Sequence, residues 1–216
     1  MKDYIKIGIE QGFISFNEEM SRITYIHQNK QRNYNNPEEK VQAETFLRLI
    51  VDYKYPVNRI KQFVSVTMGS DIKEADIVVY DDDMCIRPHI LIECKRQEVS
   101  EAEFQQAINQ AYSYAFALPG EVKYVWVTSG IKSDYFEVDK NQNTRNQLPD
   151  IPQFGVKNVA SYKYVYDAQY LPEESGKQRF FDLSIIDQSE LTRRFKQAHE
   201  ALWAGGQLNP SEAFDE

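Results

Sequence analysis

Between residues 36 and 130, two segments with strong helix-start signals alternate with four apolar runs, an order that few folds accommodate. The first helix is predicted over 36–52, because an Asn-Pro pair opens it and acidic residues follow in the first turn. The second is predicted over 100–118, where Ser100 and Glu103 have the spacing of a capping box and a Pro-Gly pair follows.

The apolar runs are typical of β-strands, since β-branched residues are frequent in them and turn residues separate them. They cover residues 63–68, 75–80, 89–95 and 122–128. The first three follow one another and predict an antiparallel meander, whereas the fourth follows the second helix. We therefore predict an α/β fold in which helices flank a mixed central sheet.

The segments outside this core give weaker signals. Ile5, Ile7 and Ile9 alternate with polar residues, and residues 23–26 form a second β-branched run. This pattern predicts short strands over residues 1–35, that is, an N-terminal β-hairpin extension.

Downstream of the fourth strand, the polar segment 139–152 is predicted to be a loop, and residues 162–166 to be a further strand. Residues 191–203 are amphipathic and predict a C-terminal helix. We accordingly predict one domain over residues 1–187 and a helical connector or tail over 188–216.

Composition restricts the environment and the partners. The sequence shows no signal peptide and no run as long as a membrane span, so we expect no membrane partner. Cys85 and Cys94 are too few for a disulfide framework and predict free thiols in the cytoplasm. The net charge of −8 weighs against a nucleic-acid partner, although a local positive patch is enough for binding.

Asp76 and the Glu93-x-Lys95 pair carry the strongest chemical signal. On a strand, residues two apart point to the same side, so Glu93 and Lys95 share a face and Cys94 points away. An antiparallel register that sets Asp76 opposite Glu93 centres the hairpin in the polar loop 81–88. The sequence thus predicts two carboxylates and one ammonium at the same place on adjacent strands.

Two carboxylates suit Mg²⁺, a hard ion that prefers oxygen ligands and keeps part of its water shell. A neighbouring lysine can orient an attacking water or stabilise developing charge. Glu39, which lies on the inner face of the first helix, could complete the site through a water molecule. By spacing alone, a solvated ion pair at a sheet edge is an equally good interpretation.

Four elements, in the same order, resemble the N-terminal nuclease domain of type I restriction enzyme R subunits, which belongs to the PD-(D/E)xK superfamily. They are Asn36–Val41, Ala75–Tyr80, Ile92–Lys95, and the pair Gln110 and Tyr114, which is similar to the QxxxY element of related enzymes. One departure is Ala75, which stands where the superfamily name has proline.

The resemblance implies a Mg²⁺-dependent endonuclease domain that hydrolyses DNA phosphodiester bonds in a restriction-modification system, with Mn²⁺ able to replace Mg²⁺. It also implies partners besides DNA, namely methyltransferase, helicase or specificity regions in the same protein or complex. The resemblance implies metal binding by Asp76, Glu93 and the Cys94 backbone carbonyl. It implies catalysis by the two carboxylates together with Lys95 and Glu39. Gln110 and Tyr114 would position the lysine region or the DNA.

Residues 191–216 resemble the helical connector that precedes an N-6 adenine methyltransferase region in fused restriction-modification proteins. A plain terminal helix packed on the domain explains them equally well. Two other functions stay open at this stage. One is a non-catalytic module that keeps the nuclease fold and binds DNA or a subunit; the other is a repair nuclease that acts on branched DNA.

Overall fold

The computed structural model describes residues 2–156 and the single positions Thr192 and Phe195, and residues 2–156 belong to one compact unit that ends at Tyr162. The helices are α1 (Tyr4–Glu10), α2 (Pro37–Val51) and α3 (Glu101–Ala117), with single 3-10 turns at Ile26–Gln28 and Val57–Arg59. The strands are β1 (Ile14–Phe16), β2 (Arg22–Tyr25), β3 (Lys30–Asn33), β4 (Ile60–Met68), β5 (Asp71–Tyr80), β6 (Pro88–Cys94), β7 (Tyr124–Thr128), β8 (Ser133–Asp139) and β9 (Thr144–Leu148).

The central sheet has the strand order β4-β5-β6-β7-β8-β9. All neighbours in it are antiparallel except β6 and β7, which run parallel and are joined by α3. A parallel connection needs a crossover element, and the capped helix after β6 supplies it. The predicted mixed sheet flanked by helices is confirmed.

Helices α2 and α3 cover opposite faces of the sheet. On β6, Ile90 and Ile92 pack in the core cluster that includes the α2 residue Phe46, whereas Leu91 packs in the cluster that includes the α3 residue Phe104. Both faces of the strand are buried, which explains its near-continuous apolar sequence.

The signals that predicted the starts of α2 and α3 act as expected. The Asn36 side chain accepts the backbone N–H of Glu38, with Pro37 at the first helical position. Ser100 and Glu103 form the complete capping box. These bonds satisfy N–H groups that have no partner inside the helix, so the two helices begin where the sequence predicts.

The strand prediction for Ile5, Ile7 and Ile9 is wrong, because this segment forms α1. Asp3 caps the helix by accepting the backbone N–H of Lys6. A period-two pattern of three residues is too short to exclude a helix, and here a local cap decides. The strand predicted over 23–26 is present as β2, and it pairs with β1 and β3 in a three-stranded antiparallel sheet.

The loop prediction for 139–152 is also wrong in part, since Thr144–Leu148 forms strand β9. As an edge strand with mostly exposed residues, β9 does not show the alternation that identifies half-buried strands. The turn before it is polar for a local reason: the Asp139 side chain accepts the backbone N–H groups of Asn141 and Gln142.

The remaining expectations concern membrane spans, the cysteines and the C-terminal segment. Within 2–156, no helix is long and apolar enough to cross a membrane. Both cysteines are free thiols, as predicted. The predicted strand over 162–166 and the boundary after 187 lie outside the described residues, as does the helix over 191–203 except for Thr192 and Phe195, which are helical and exposed.

Candidate active site

Asp76 on β5 and Glu93 on β6 lie at opposed positions of an antiparallel strand pair. Ile77 pairs with Ile92, and one step further along this register Asp76 stands opposite Glu93, as the sequence predicts. Asp76 Oδ2 accepts the backbone N–H of Cys94 at 2.6 Å. This bond fixes the Asp76 carboxylate at the carboxyl end of β6.

Glu93 and Lys95 lie on the same side of β6. The Lys95 Nζ is 2.9 Å from Glu93 Oε1, and only 3% of the Glu93 side chain is exposed. The backbone N–H of Lys95 donates to the Thr128 carbonyl at 2.8 Å, which ties the chain to β7 one residue past the end of β6. Lys95 is therefore held through its backbone by Thr128 and through its side chain by Glu93.

Two consecutive glutamates in the first turn of α2 point to different places. Glu38 Oε1 lies 3.4 Å from Lys95 Nζ. Glu39 is buried, and its Oε1 accepts the Tyr25 hydroxyl at 2.5 Å. Successive helical side chains are rotated by about 100°, so both cannot face the same site. The structure thus places Glu38, and not the expected Glu39, beside Lys95.

Gln110 and Tyr114 lie on one face of α3, directed at Glu93. Gln110 Nε2 is 3.0 Å from Glu93 Oε1 and 2.8 Å from the Tyr114 hydroxyl. Their spacing of four residues brings them together on the helix. The structure therefore joins this pair to the Asp76, Glu93 and Lys95 cluster.

The sequence analysis missed Gln42, which is almost fully buried in α2. Its Nε2 donates to the backbone carbonyl of Asp76 at 2.9 Å. Glu38 and Gln42 are four residues apart, so one face of α2 reaches both Lys95 and Asp76. A helical pattern of polar residues on a face that is otherwise buried is the signal that could have revealed them.

The electrostatics of the site reflect two acids buried together. Burial raises the pKa of Asp76 well above its usual range, and the charge of Glu93 adds to the rise. Burial likewise raises the pKa of Glu93, although Lys95 opposes the change. Burial alone would lower the pKa of Lys95, but the nearby charges of Glu93 and Glu38 outweigh it and raise that pKa.

One oxygen of the site has no protein partner. Glu93 Oε2 is buried and accepts no hydrogen bond from any described residue. A buried carboxylate oxygen without a partner is costly, since it has lost its water without compensation. Such an atom commonly marks a place where an ion or a ligand binds.

Cys94 contributes to the site through its backbone. Its thiol is buried in the core cluster on the α2 side of the sheet, away from Glu93. Burial raises the pKa of this thiol well above its usual value, which leaves it protonated at neutral pH. The arrangement does not suit a cysteine nucleophile.

The protein atoms available to a metal ion are few. Among the described residues, no group of three or more His, Cys, Asp or Glu side chains could hold a metal ion. Mg²⁺ commonly keeps several waters and uses one or two carboxylates. Asp76 and Glu93 offer that number, and the Cys94 carbonyl follows at the next backbone position.

Comparison of the sequence with known proteins identifies a family. No curated protein matches the chain. The family described as type I restriction enzyme R protein N terminus matches residues 37–152, more than half of the chain, from the first residue of α2 to beyond β9. Helix α1 and the three-stranded sheet precede the match. The chain belongs to the family of the type I restriction enzyme R protein N terminus.

Proposed function

We propose that the chain is a Mg²⁺-dependent endonuclease domain that hydrolyses DNA phosphodiester bonds in a restriction system. The observation that carries the proposal is the pair of buried carboxylates, Asp76 and Glu93, on adjacent strands beside Lys95. Membership in a restriction enzyme family supports it. DNA would be the substrate, and further regions of a restriction complex would be the partners.

The donor set fits a divalent cation. Burial raises the pKa of both acids, and the charge of Glu93 raises that of Asp76 further, so a cation bound at the two carboxylates would favour their charged forms. Glu93 Oε2, which has no partner among the described residues, would gain one. When bound, Mg²⁺ neutralises charge on the phosphodiester and lowers the pKa of a coordinated water. Mn²⁺ offers the same coordination and would substitute.

Lys95 acts as a hydrogen-bond donor in this proposal. Its pKa is raised, so the side chain stays an ammonium at neutral pH and does not accept the proton of the attacking water. Glu93 accepts one of its three N–H donors and Glu38 forms an ion pair with it at 3.4 Å, so a donor remains for the water or a phosphate oxygen. A fixed cation at this place stabilises the negative charge that develops during hydrolysis.

The surrounding amides and the phenol position the charged groups. Gln110 donates to Glu93 Oε1, so that this oxygen is shared between the amide and Lys95. Tyr114 accepts the second N–H of the same amide and orients it. Gln42 holds the backbone of Asp76 from the other side of the sheet. We assign these three side chains to positioning and Glu38 to holding Lys95.

Plasmid nicking by the 216-residue chain tests the proposal, with Mg²⁺ or Mn²⁺ against EDTA. Asp76→Asn and Glu93→Gln keep the side-chain shapes and remove one charge each, so cleavage should be lost. Asp71→Asn is a matched control on the same strand, because Asp71 is exposed and its nearest cation, Lys73, is 3.9 Å away. This control should cut like the parent.

Other outcomes favour the rival functions. If the parent chain cuts no DNA with either metal, alone or joined to its partner regions, a non-catalytic binding module is the better account. If it cuts branched DNA and leaves plasmid duplex intact, repair is the better account. If Asp76→Asn cuts as fast as the Asp71→Asn control, the site is assigned to the wrong residues.

A further inference from the structure

Two cations of β3 lie against the β4 edge of the central sheet, next to the candidate active site. We call Lys30 and Arg32, which are both on β3, the edge cation cluster. The Lys30 Nζ donates to the backbone carbonyls of Gln62 at 3.0 Å and Phe63 at 3.4 Å. These bonds fix the Lys30 ammonium and leave one of its three N–H donors available.

Phe63 links the cluster to Asp76. The Arg32 guanidinium carbon lies 3.7 Å from the centre of the Phe63 ring, which is the contact distance of a stacked cation. In the β4–β5 register, Gln62 pairs with Ile77, so the next position sets Phe63 opposite Asp76. The cluster is therefore one strand away from a proposed catalytic carboxylate.

Phe63 also has a backbone conformation that is rare for a bulky residue. Its φ is +56°, in the left-handed region, in the middle of a strand. Such strain concentrates at functional positions, where the surrounding structure compensates for it. Here Arg32 stacks on the Phe63 ring, and the Lys30 ammonium donates to the Phe63 carbonyl oxygen.

Two cations are crowded here, and the nearest exposed anion is shared between them. Arg32 meets Glu74 at 3.2 Å, on an exposed part of β5. Within the part of the chain that the structure describes, Lys30 forms no ion pair of its own. Burial lowers the pKa of Lys30 and the charge of Arg32 lowers it further, while the charge of Glu74 opposes the change. In a chain of net charge −8, such crowding of cations favours an anionic ligand.

The first turn of α2 separates the cluster from Lys95. Burial raises the pKa of Glu39, and the positive charge of Arg32 is near enough to oppose that rise. Glu38, one residue earlier, contacts Lys95 instead. The edge cation cluster and Lys95 thus lie on different sides of the first turn of α2, since Arg32 is near Glu39 and Lys95 contacts Glu38.

We propose that the edge cation cluster binds phosphate groups of duplex DNA a few nucleotides from the bond that is cut. The inference rests on the proposed function for the identity of its ligand. Lys30 and Arg32 precede residue 37, so this subsite lies outside the family match. Backbone contacts of this kind position a duplex and carry no sequence preference.

A binding assay without cleavage tests this inference. Fluorescence anisotropy of a short labelled duplex is measured in EDTA over a series of salt concentrations. Lys30→Gln and Arg32→Gln should each weaken binding on any sequence and reduce the salt slope by about 0.9, the value for one lost phosphate contact. Lys30→Arg keeps the charge and should keep the parent slope.

Two further variants sharpen the test. Lys6→Gln removes the same charge from α1, where 69% of the side chain is exposed and the partner is Glu10 at 3.9 Å, so it should bind like the parent. Glu74→Gln removes the anion beside Arg32 and should tighten binding. Circular dichroism shows whether each variant is folded, and only folded variants are compared.

The result that overturns the inference is an equal salt slope for Arg32→Gln and Lys6→Gln, or a parent chain that does not bind duplex at all. Because binding is measured in EDTA, this outcome is separate from cleavage. A chain that binds through the cluster and never cuts refutes the proposed nuclease activity alone. A chain that cuts while all slopes stay equal refutes the phosphate subsite alone.

Discussion

Replacing Lys95 by methionine separates catalysis from metal binding. Methionine keeps most of the aliphatic stem and removes the ammonium that lies 2.9 Å from Glu93 and 3.4 Å from Glu38. Both proposed metal ligands, Asp76 and Glu93, remain. We therefore expect cleavage to fall while the metal still binds.

The expected magnitude follows from the role of a single fixed charge. Removing one preorganised electrostatic stabiliser costs about 3 kcal/mol, which corresponds to a rate loss of about a hundredfold or more. Glu38→Gln should cost much less. The Glu38 side chain is 41% exposed, and exposed ion pairs contribute about 1 kcal/mol or less, which corresponds to about fivefold at most.

The assay pairs two measurements on the same protein. Initial nicking rates are taken at saturating Mg²⁺, and metal affinity is taken from calorimetry without DNA. Lys95→Met should lose rate at nearly constant metal affinity, whereas Asp76→Asn should lose metal affinity as well. If Lys95→Met cuts at the parent rate, this lysine is not catalytic. If it loses the metal, its role is to hold the carboxylates.

Three other expected outcomes follow from particular contacts. Gln42→Met leaves the buried carbonyl of Asp76 without its partner, so the free energy of unfolding measured by urea titration should fall by about 1–3 kcal/mol. An unchanged value would show that water replaces the amide. In EDTA the melting temperature should fall as pH rises above the ordinary carboxyl range, near 4. The reason is that the raised pKa values of Asp76 and Glu93 make the folded state bind more protons than the unfolded state. Mg²⁺ should reverse this trend, and a flat profile in EDTA would contradict it. Gly8→Ala puts a Cβ at 2.6 Å from a Leu47 methyl carbon, so it should destabilise the chain by about 1–3 kcal/mol, and a gain in stability would show that α1 can shift.

Much of the core could be predicted from local signals alone. Asn36 and Ser100 mark the two helix starts because a side-chain cap satisfies backbone groups within a few residues of itself. The opposition of Asp76 and Glu93 agrees with a hairpin centred in the polar loop, although the register shifts by one residue between Val79 and Tyr80, which the sequence does not show. The helix caps depend on residues that are close in sequence, so local patterns are enough to predict them.

Local signals failed where two structures fit the same pattern. Ile5, Ile7 and Ile9 suit a strand by their alternation, and packing of α1 on α2 at Gly8 is a tertiary fact. The β9 residues suit a loop by their polarity, and their pairing with β8 depends on the position of the sheet edge. In both segments the competing structures differ little in local free energy, so long-range contacts decide.

Tertiary structure decided which individual residues meet at the site. Whether Glu38 or Glu39 meets Lys95 depends on how α2 is rotated against the sheet, and one residue corresponds to about 100° of that rotation. Lys30 and Gln62 are distant in sequence and meet only because β3 lies against the edge of β4. Sequence patterns identify which residues can carry chemistry and which face of an element is apolar. The approach of two elements to one another is determined by the packing of whole faces, so only the folded chain shows which of those residues meet.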